Sequence, residues 1–162
     1  MFLDVLTTGG TIDKIYFDKK SEFEVGDPVV GKLLEAMDVG FEFQVDALMR
    51  VDSLDMTDEH RDIIVERVKA STTKHILITH GTDGMVETAS KLQGIEDKTI
   101  VLTGSLQPAA FVHNDAVFNI GCSIGAVQTL QAGVYIVMNG QVFDADKVTK
   151  NLKENRFESI SE

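Results

Sequence analysis

The chain has 162 residues, of which 43% are apolar, and it carries a net charge of −11. This size and composition suit one globular domain with its own core, and the negative charge repels phosphate backbones, so we expect no nucleic-acid partner. No apolar run reaches the roughly 20 residues that span a bilayer, and the N-terminus lacks the order of a signal peptide. With a single cysteine, Cys122, these features predict a cytoplasmic protein without a membrane partner.

Strand-like and helix-like segments alternate along the chain. Continuous Val/Ile/Leu-rich runs, typical of strands buried on both faces, predict strands at 2–6, 41–48, 75–79, 99–103 and 134–138. Helical patterns lie between them at 28–37, 58–70, 84–93 and 115–131. Asp27-Pro28 and Thr57 are expected to begin the first two helices, and Asn114 or Asp115 is expected to cap the fourth.

This alternation predicts a three-layer α/β/α sandwich. Right-handed crossovers between neighbouring strands give a doubly wound, mostly parallel, Rossmann-like sheet in a single domain that covers residues 1–150. Asn-Gly at 139–140, followed by QVFD, predicts a hairpin after the last parallel strand. The remaining residues, 151–162, are expected to form a polar C-terminal tail.

Polar and glycine-rich segments follow most of the predicted strands. TTGGT ends the first strand, HGTDG follows 75–79, GSLQP follows 99–103 and NGQ follows 134–138. In a parallel sheet these segments share one edge, where glycines allow backbone N–H groups to approach a ligand. The side chains expected to meet there are Thr11, Thr82, Asp83 and Ser105.

Each of these residues also has a purely structural interpretation. Gly9 and Gly10 suit a tight strand-to-helix turn in which Thr11 acts as a cap. Asp83 can cap the helix that follows it, and His80 is typical of a hydrogen-bonded core histidine. Residue by residue, the pattern leaves both interpretations open.

Several segments taken together resemble one family. TTGGTI near the start and THGTDGMVETA farther along resemble the two signature segments of the L-asparaginase family, type I/II, in wording and spacing. SLDM at 53–56, GSLQP at 104–108, VFN at 117–119 and DADKVTKN at 144–151 resemble further family segments in the expected order. The resemblance runs from residue 3 to about residue 157, and it implies the N-terminal domain of that family.

The resemblance also implies a set of site residues and no metal or organic cofactor. The implied catalytic residues are Thr11, Thr82, Asp83 and Lys150, with Tyr16 as the candidate for a hydroxyl group on the loop after Thr11. The implied substrate-binding residues are Gly10, Ser53, Gly81, Asp83 and Ser105. In relatives, the first threonine attacks the side-chain amide of L-asparagine, which yields aspartate and ammonia through an acyl-enzyme. A threonine hydroxyl is a weak nucleophile, so it needs a proton acceptor and a pocket for the oxyanion.

Lys150 has two interpretations at this stage. The family pattern implies that it pairs with Asp83 and holds Thr82 in position, whereas sequence alone is equally compatible with a lysine at the surface. The carbonyl group of Ser105 is implied as the group that receives the amide nitrogen.

Three departures from the family pattern bear on activity. Phe23 stands where relatives carry a tyrosine on the loop after the first threonine, and Tyr16 lies on the same loop. Gly84 stands where threonine is common. The usual family chain is longer, and its second domain, which helps to close the neighbouring active site, is expected to be absent here.

Three functions remain open from the sequence. The favoured one is a short, single-domain L-asparaginase that acts as a homodimer or homotetramer on a small-molecule amide. The second is a catalytically weak or inactive module that binds aspartate or asparagine. The third is a nucleotide-binding domain, although neither GxGxxG nor GxxxxGK[ST] occurs in the chain.

Overall fold

A six-stranded sheet forms the centre of the molecule, for which a computed structural model describes residues 1–160. The strands are Phe2–Gly9 (β1), Lys14–Phe17 (β2), Glu22–Val25 (β3), Glu42–Val51 (β4), His75–Thr79 (β5), Thr99–Thr103 (β6), Gly133–Met138 (β7), Gln141–Asp144 (β8), Val148–Asn151 (β9) and Arg156–Ser159 (β10). The sheet has the order β4-β1-β5-β6-β7-β8, with β8 antiparallel to β7 and all other neighbours parallel. The predicted mostly parallel sheet is therefore confirmed, as is the hairpin after β7.

Within residues 1–160, four α-helices cover the two faces of this sheet. They are Val30–Ala36 (α1), Asp58–Ala70 (α2), Met85–Lys91 (α3) and Ala116–Thr129 (α4). On β5, Ile76 and Ile78 pack in the core cluster that includes α2 and α3, whereas Leu77 packs in the cluster that includes α1 and α4. Because alternate side chains of one strand enter different cores, β5 is buried on both faces. This confirms the three-layer sandwich.

The predicted start of α2 agrees with the structure, whereas the predicted start of α1 does not. Thr57 caps α2 in a capping box with His60, as predicted. The prediction that Asp27-Pro28 begins α1 is wrong, because the helix begins at Val30. Asp27 instead forms an ion pair with Arg50, with an N–O distance of 2.5 Å.

The segment predicted as a polar tail contains a strand. Arg156–Ser159 (β10) pairs with Val148–Asn151 (β9) in an antiparallel hairpin. Phe157 is buried, with 3% of its surface exposed, in the core cluster that includes α2 and α3, the main core of the domain. Burial of this aromatic ring helps to hold the polar segment against the domain. Residues 161–162, which the same prediction included, lie outside the described residues.

A third hairpin, β2–β3, lies between β1 and α1 in the chain, and the sequence pattern did not predict it. Its cross-strand pairs include Tyr16 with Phe23. None of the helices in residues 1–160 is long and apolar enough to cross a membrane.

Candidate active site

The ends of β1 and β5 touch each other through two glycines. Gly10 has a φ of 84°, a left-handed conformation that favours glycine. A Cβ atom on Gly10 would lie 2.5 Å from both the Cα and the N atom of Gly81, which leaves no room for a side chain. Thr11 and Thr82 each follow one of these glycines directly. The structure therefore brings the two predicted threonine segments into contact.

The end of β4 adds a third segment to this edge. The Gly10 N–H donates to the Val51 carbonyl at 3.0 Å, which fixes the two strand ends against each other. Beyond Val51, Ser53 lies against Gly81, since a Cβ atom on Gly81 would be 2.5 Å from the Cβ of Ser53. Gly81 thus contacts both Gly10 and Ser53, which are three of the residues that the resemblance implied for substrate binding.

Lys150 reaches this edge from the β9–β10 hairpin. Its Nζ atom donates to Thr82 Oγ1 at 2.7 Å and forms an ion pair with Asp83. Only 8% of the Lys150 side chain is exposed, compared with 37% for Asp83. Burial and these two partners exclude the interpretation of Lys150 as a surface lysine.

The core packing of the hairpin explains how Lys150 is positioned. Lys150 is the cross-strand partner of Phe157, and Val148 two residues earlier is also buried in the main core. Buried side chains on the two strands of the hairpin fix the backbone on which Lys150 is carried. The sequence did not predict that Phe157 packs in the core. A single apolar residue among charged ones was the available indication.

His80 fixes the backbone of the HGTDG segment, which carries Thr82. The residue is fully buried; its Nδ1 lies 2.7 Å from the Gly81 carbonyl and its Nε2 lies 2.8 Å from Thr88 Oγ1. A carbonyl only accepts, so we assign the proton to Nδ1. Burial lowers the pKa of His80 to about 4. His80 is therefore a neutral, hydrogen-bonded core histidine that orients the Gly81 peptide group.

Asp115, directly before α4, fixes the loop after β6. Both the Leu106 and Gln107 N–H groups donate to the Asp115 carboxylate at 2.9 to 3.1 Å. Asp115 therefore fixes the loop rather than capping the helix, whereas Asn114 Oδ1 accepts from the Ala116 N–H at 3.0 Å. Ser105, at the start of this loop, is buried, with 1% of its surface exposed.

Tyr16 is not part of the Lys150 cluster. Its ring meets the Phe23 ring edge-on with 5.5 Å between centroids, and Phe23 in turn lies 5.8 Å from Phe111. About half of each side chain is exposed, at 52% for Tyr16 and 49% for Phe23. Both candidate loop residues thus lie in an aromatic row on the β2–β3 hairpin, and Phe23 links that hairpin to the loop after β6.

Gly84, the second departure from the family pattern, adjoins an arginine. A Cβ atom at position 84 would lie 3.3 Å from Arg61 Nη2 and 3.3 Å from the Ser53 carbonyl oxygen. The Arg61 guanidinium therefore borders the space that a side chain at this position would enter. The sequence did not suggest a role for Arg61.

These observations define an α/β protein with a threonine–lysine–aspartate cluster at the carboxyl edge of a parallel sheet. Within residues 1–160, no group of three or more His, Cys, Asp or Glu side chains is placed to hold a metal ion.

Comparison with known proteins assigns the family. Residues 3–161 match the model of the asparaginase N-terminal domain, so the chain belongs to the asparaginase family. It is 31% identical to L-asparaginase 2 of Escherichia coli over 163 aligned residues, covering 91% of this chain and 46% of the relative. It is 27% identical to a glutamyl-tRNA(Gln) amidotransferase component from Methanococcus maripaludis, covering 88% and 36%.

Solved structures with a similar fold also belong to L-asparaginases. The thermostable L-asparaginase from Thermococcus kodakarensis superposes with a TM-score of 0.85 at 26% identity, covering 99% of this chain and 51% of that structure. The chain thus spans between about a third and about half of the length of these relatives.

Proposed function

We propose that the site hydrolyses the side-chain amide of L-asparagine to L-aspartate and ammonia. The observation that carries this proposal is the largely buried Lys150 side chain, which contacts Thr82 and Asp83, together with the contact between Gly10 and Gly81, the residues that precede Thr11 and Thr82. Family membership supports amide chemistry, and L-asparaginases are among the relatives and structural neighbours.

Thr11 is the proposed nucleophile. It is half-buried at the start of a short 3-10 turn, and no hydrogen bond within residues 1–160 occupies its hydroxyl group. Its oxygen attacks the amide carbon, the C–N bond breaks, and the hydroxyl proton ends on the departing ammonia. Water then cleaves the resulting ester, which restores Thr11 and releases the carboxylate.

The other residues supply position and charge. Lys150 holds the Thr82 hydroxyl group and compensates the charge of Asp83, so a polar cluster persists at a largely buried edge. Asp83 and Ser53 are proposed to bind the amino and carboxylate groups of the amino acid, and the Ser105 carbonyl to receive the amide N–H. The backbone N–H groups beside Gly10 and Gly81 are proposed to stabilise the oxyanion.

The test measures ammonia release and aspartate binding on the same sample. The wild-type chain is expected to release ammonia from L-asparagine, with L-glutamine as the second amide. Thr11→Ala should abolish turnover but retain the fold and most of the aspartate affinity, since loss of one half-exposed hydroxyl has little effect on stability. Thr72→Ala, at an exposed threonine remote from the site, is the matched control. Undiminished turnover in Thr11→Ala would contradict the assignment.

One observation favours a second candidate, a module that binds aspartate or asparagine without turnover. Phe23 lacks a hydroxyl group, and Tyr16 faces Phe23 rather than the Lys150 cluster. The discriminating result is aspartate binding without ammonia release by the wild-type chain.

Assembly and location stay predictions. A homodimer or homotetramer is proposed because family sites are completed across subunits, and sedimentation or light scattering of the purified chain measures it. The cytoplasm is the proposed location, which fractionation of cells that produce the protein tests.

A further inference from the structure

Asp13 joins both ends of the β2–β3 hairpin, two residues after Thr11. Its carbonyl oxygen accepts from the Gly26 N–H at 2.8 Å and its Oδ1 accepts from the Val29 N–H at 2.9 Å. Its own N–H donates to the Gly10 carbonyl at 3.2 Å. Asp13 therefore connects Gly10 at the candidate site to Gly26, just after β3, and to Val29, just before α1.

This carboxyl group is buried, with 2% of the residue exposed. An ionised carboxylate in such a place is costly unless it is well paired. An asparagine would provide the same acceptor oxygen for the Val29 N–H without any charge. An ionisable group at this position therefore calls for an explanation beyond that single hydrogen bond.

Few charged groups face Asp13 among the described residues. Arg50, at the end of β4, is the cation whose field reaches it, and Arg50 is already paired with the exposed Asp27. Lys14, the next residue, is paired with Asp52 at 2.5 Å. Burial alone would raise the pKa of Asp52, but the hydrogen bond from Lys14 lowers it overall, so Asp52 stays ionised at neutral pH.

Burial is thus the dominant influence on Asp13. It raises the pKa of Asp13 from 3.8 to about 6, against the opposing effects of the Val29 hydrogen bond and of Arg50.

We propose that Asp13 is a positioning residue that holds the β2–β3 hairpin closed beside Thr11 and loosens it when the carboxyl group loses its proton. The closed state is the arrangement described above, and in the open state the two hydrogen bonds from Gly26 and Val29 are broken and Asp13 meets water. The part of this inference that concerns catalysis rests on the function proposed above.

The direction follows from proton linkage. The closed state keeps the Asp13 proton up to a pH of about 6, whereas in the open state Asp13 has its ordinary pKa near 3.8. The closed state therefore binds more protons between these values, and deprotonation favours opening. Between pH 5 and pH 7.5 these two pKa values raise the opening equilibrium constant about tenfold.

Hydrogen exchange of the Gly26 amide tests this, because exchange through local opening reports the opening equilibrium. Wild type is compared with Asp13→Asn, which keeps the acceptor oxygen but does not ionise. The ratio of their exchange rates at one pH cancels the intrinsic chemical rate. The wild-type to Asp13→Asn ratio is expected to rise about tenfold from pH 5 to pH 7.5. An equal ratio at the two pH values would overturn the proposal.

Two further variants and one direct measurement complete the test. Glu35→Gln removes an exposed carboxylate on α1, and the Gly26 amide of this variant should exchange at the wild-type rate at both pH values. In Asp13→Ala the Gly26 amide should exchange faster than in wild type at both pH values. Titration of the Asp13 carboxyl carbon by NMR in the wild-type chain needs no variant; an apparent pKa near 4 would contradict the proposal.

Catalysis is measured separately, so the two proposals can fail independently. The wild-type to Asp13→Asn ratio of kcat/KM for L-asparagine should change over the same pH window as the exchange ratio. A pH-dependent exchange ratio without ammonia release would contradict the proposed function and leave the hairpin mechanism standing. Ammonia release with the same exchange ratio at both pH values would support the proposed function and contradict the hairpin mechanism.

Discussion

Replacing Lys150 by methionine removes one charge while it preserves most of the side-chain volume. The substitution deletes the bond to Thr82, and a hydrogen bond from a charged group contributes about 1.5–3 kcal/mol. The ion pair with Asp83 adds less than about 1 kcal/mol, because 37% of the Asp83 side chain is exposed and solvent screens it. The apolar stem of Lys150 keeps its packing, which offsets part of these losses. We therefore expect a net destabilisation of about 2 kcal/mol.

For a chain of this length, that corresponds to a fall in Tm of roughly 4–8 °C, so the variant stays folded at room temperature. The expected rate of ammonia release falls roughly 100-fold or more, because Thr82 loses the group that positions it. The assay combines steady-state ammonia release with thermal unfolding followed by circular dichroism. Lys153→Met, at an exposed lysine on the same hairpin, is the control and should change neither quantity. Wild-type activity in Lys150→Met would refute the proposed role.

Two further predictions concern the hairpin and the buried histidine. If no hydroxyl group now assists from the hairpin, Phe23→Tyr should raise kcat for L-asparagine and Tyr16→Phe should change little. If Tyr16 has taken over the role, Tyr16→Phe should be nearly inactive, and wild-type kcat in both variants would show that neither position assists. Because burial lowers the pKa of His80 from 6.5 to about 4, the unfolded chain binds the extra proton and stability falls as pH falls. Urea unfolding should show that wild type loses about 2 kcal/mol more than His80→Gln between pH 7 and pH 4.5; equal losses would contradict this.

The sequence predicted the central fold well because the strands are buried on both faces. Runs such as HILIT and TIVLT have a continuous apolar centre, which is typical of parallel strands that are buried on both faces. Thr57 likewise showed the start of α2, because a capping box is a local interaction among residues four positions apart or fewer.

The two small hairpins were beyond the sequence signal. Each strand of the β2–β3 hairpin has only four residues, and most of them are exposed, so the segment lacks the buried apolar run that predicted the central strands. The β9–β10 hairpin depends on Phe157, whose partner residues lie across the chain in the main core. Long-range packing of a single side chain leaves no periodic pattern, so the sequence predicted a polar tail there.

By itself, the sequence determined that this is a doubly wound α/β domain with Thr11, Thr82 and Asp83 at one edge. Strand order along the chain and the direction of parallel strands are sufficient to place these residues together. Only the tertiary structure decided that Lys150 is buried against Thr82 and Asp83 and that Asp13 is buried with hydrogen bonds from Gly26 and Val29. Both depend on burial and on contacts between distant or irregular segments, and these set the charge and position of a side chain without any local sequence signature.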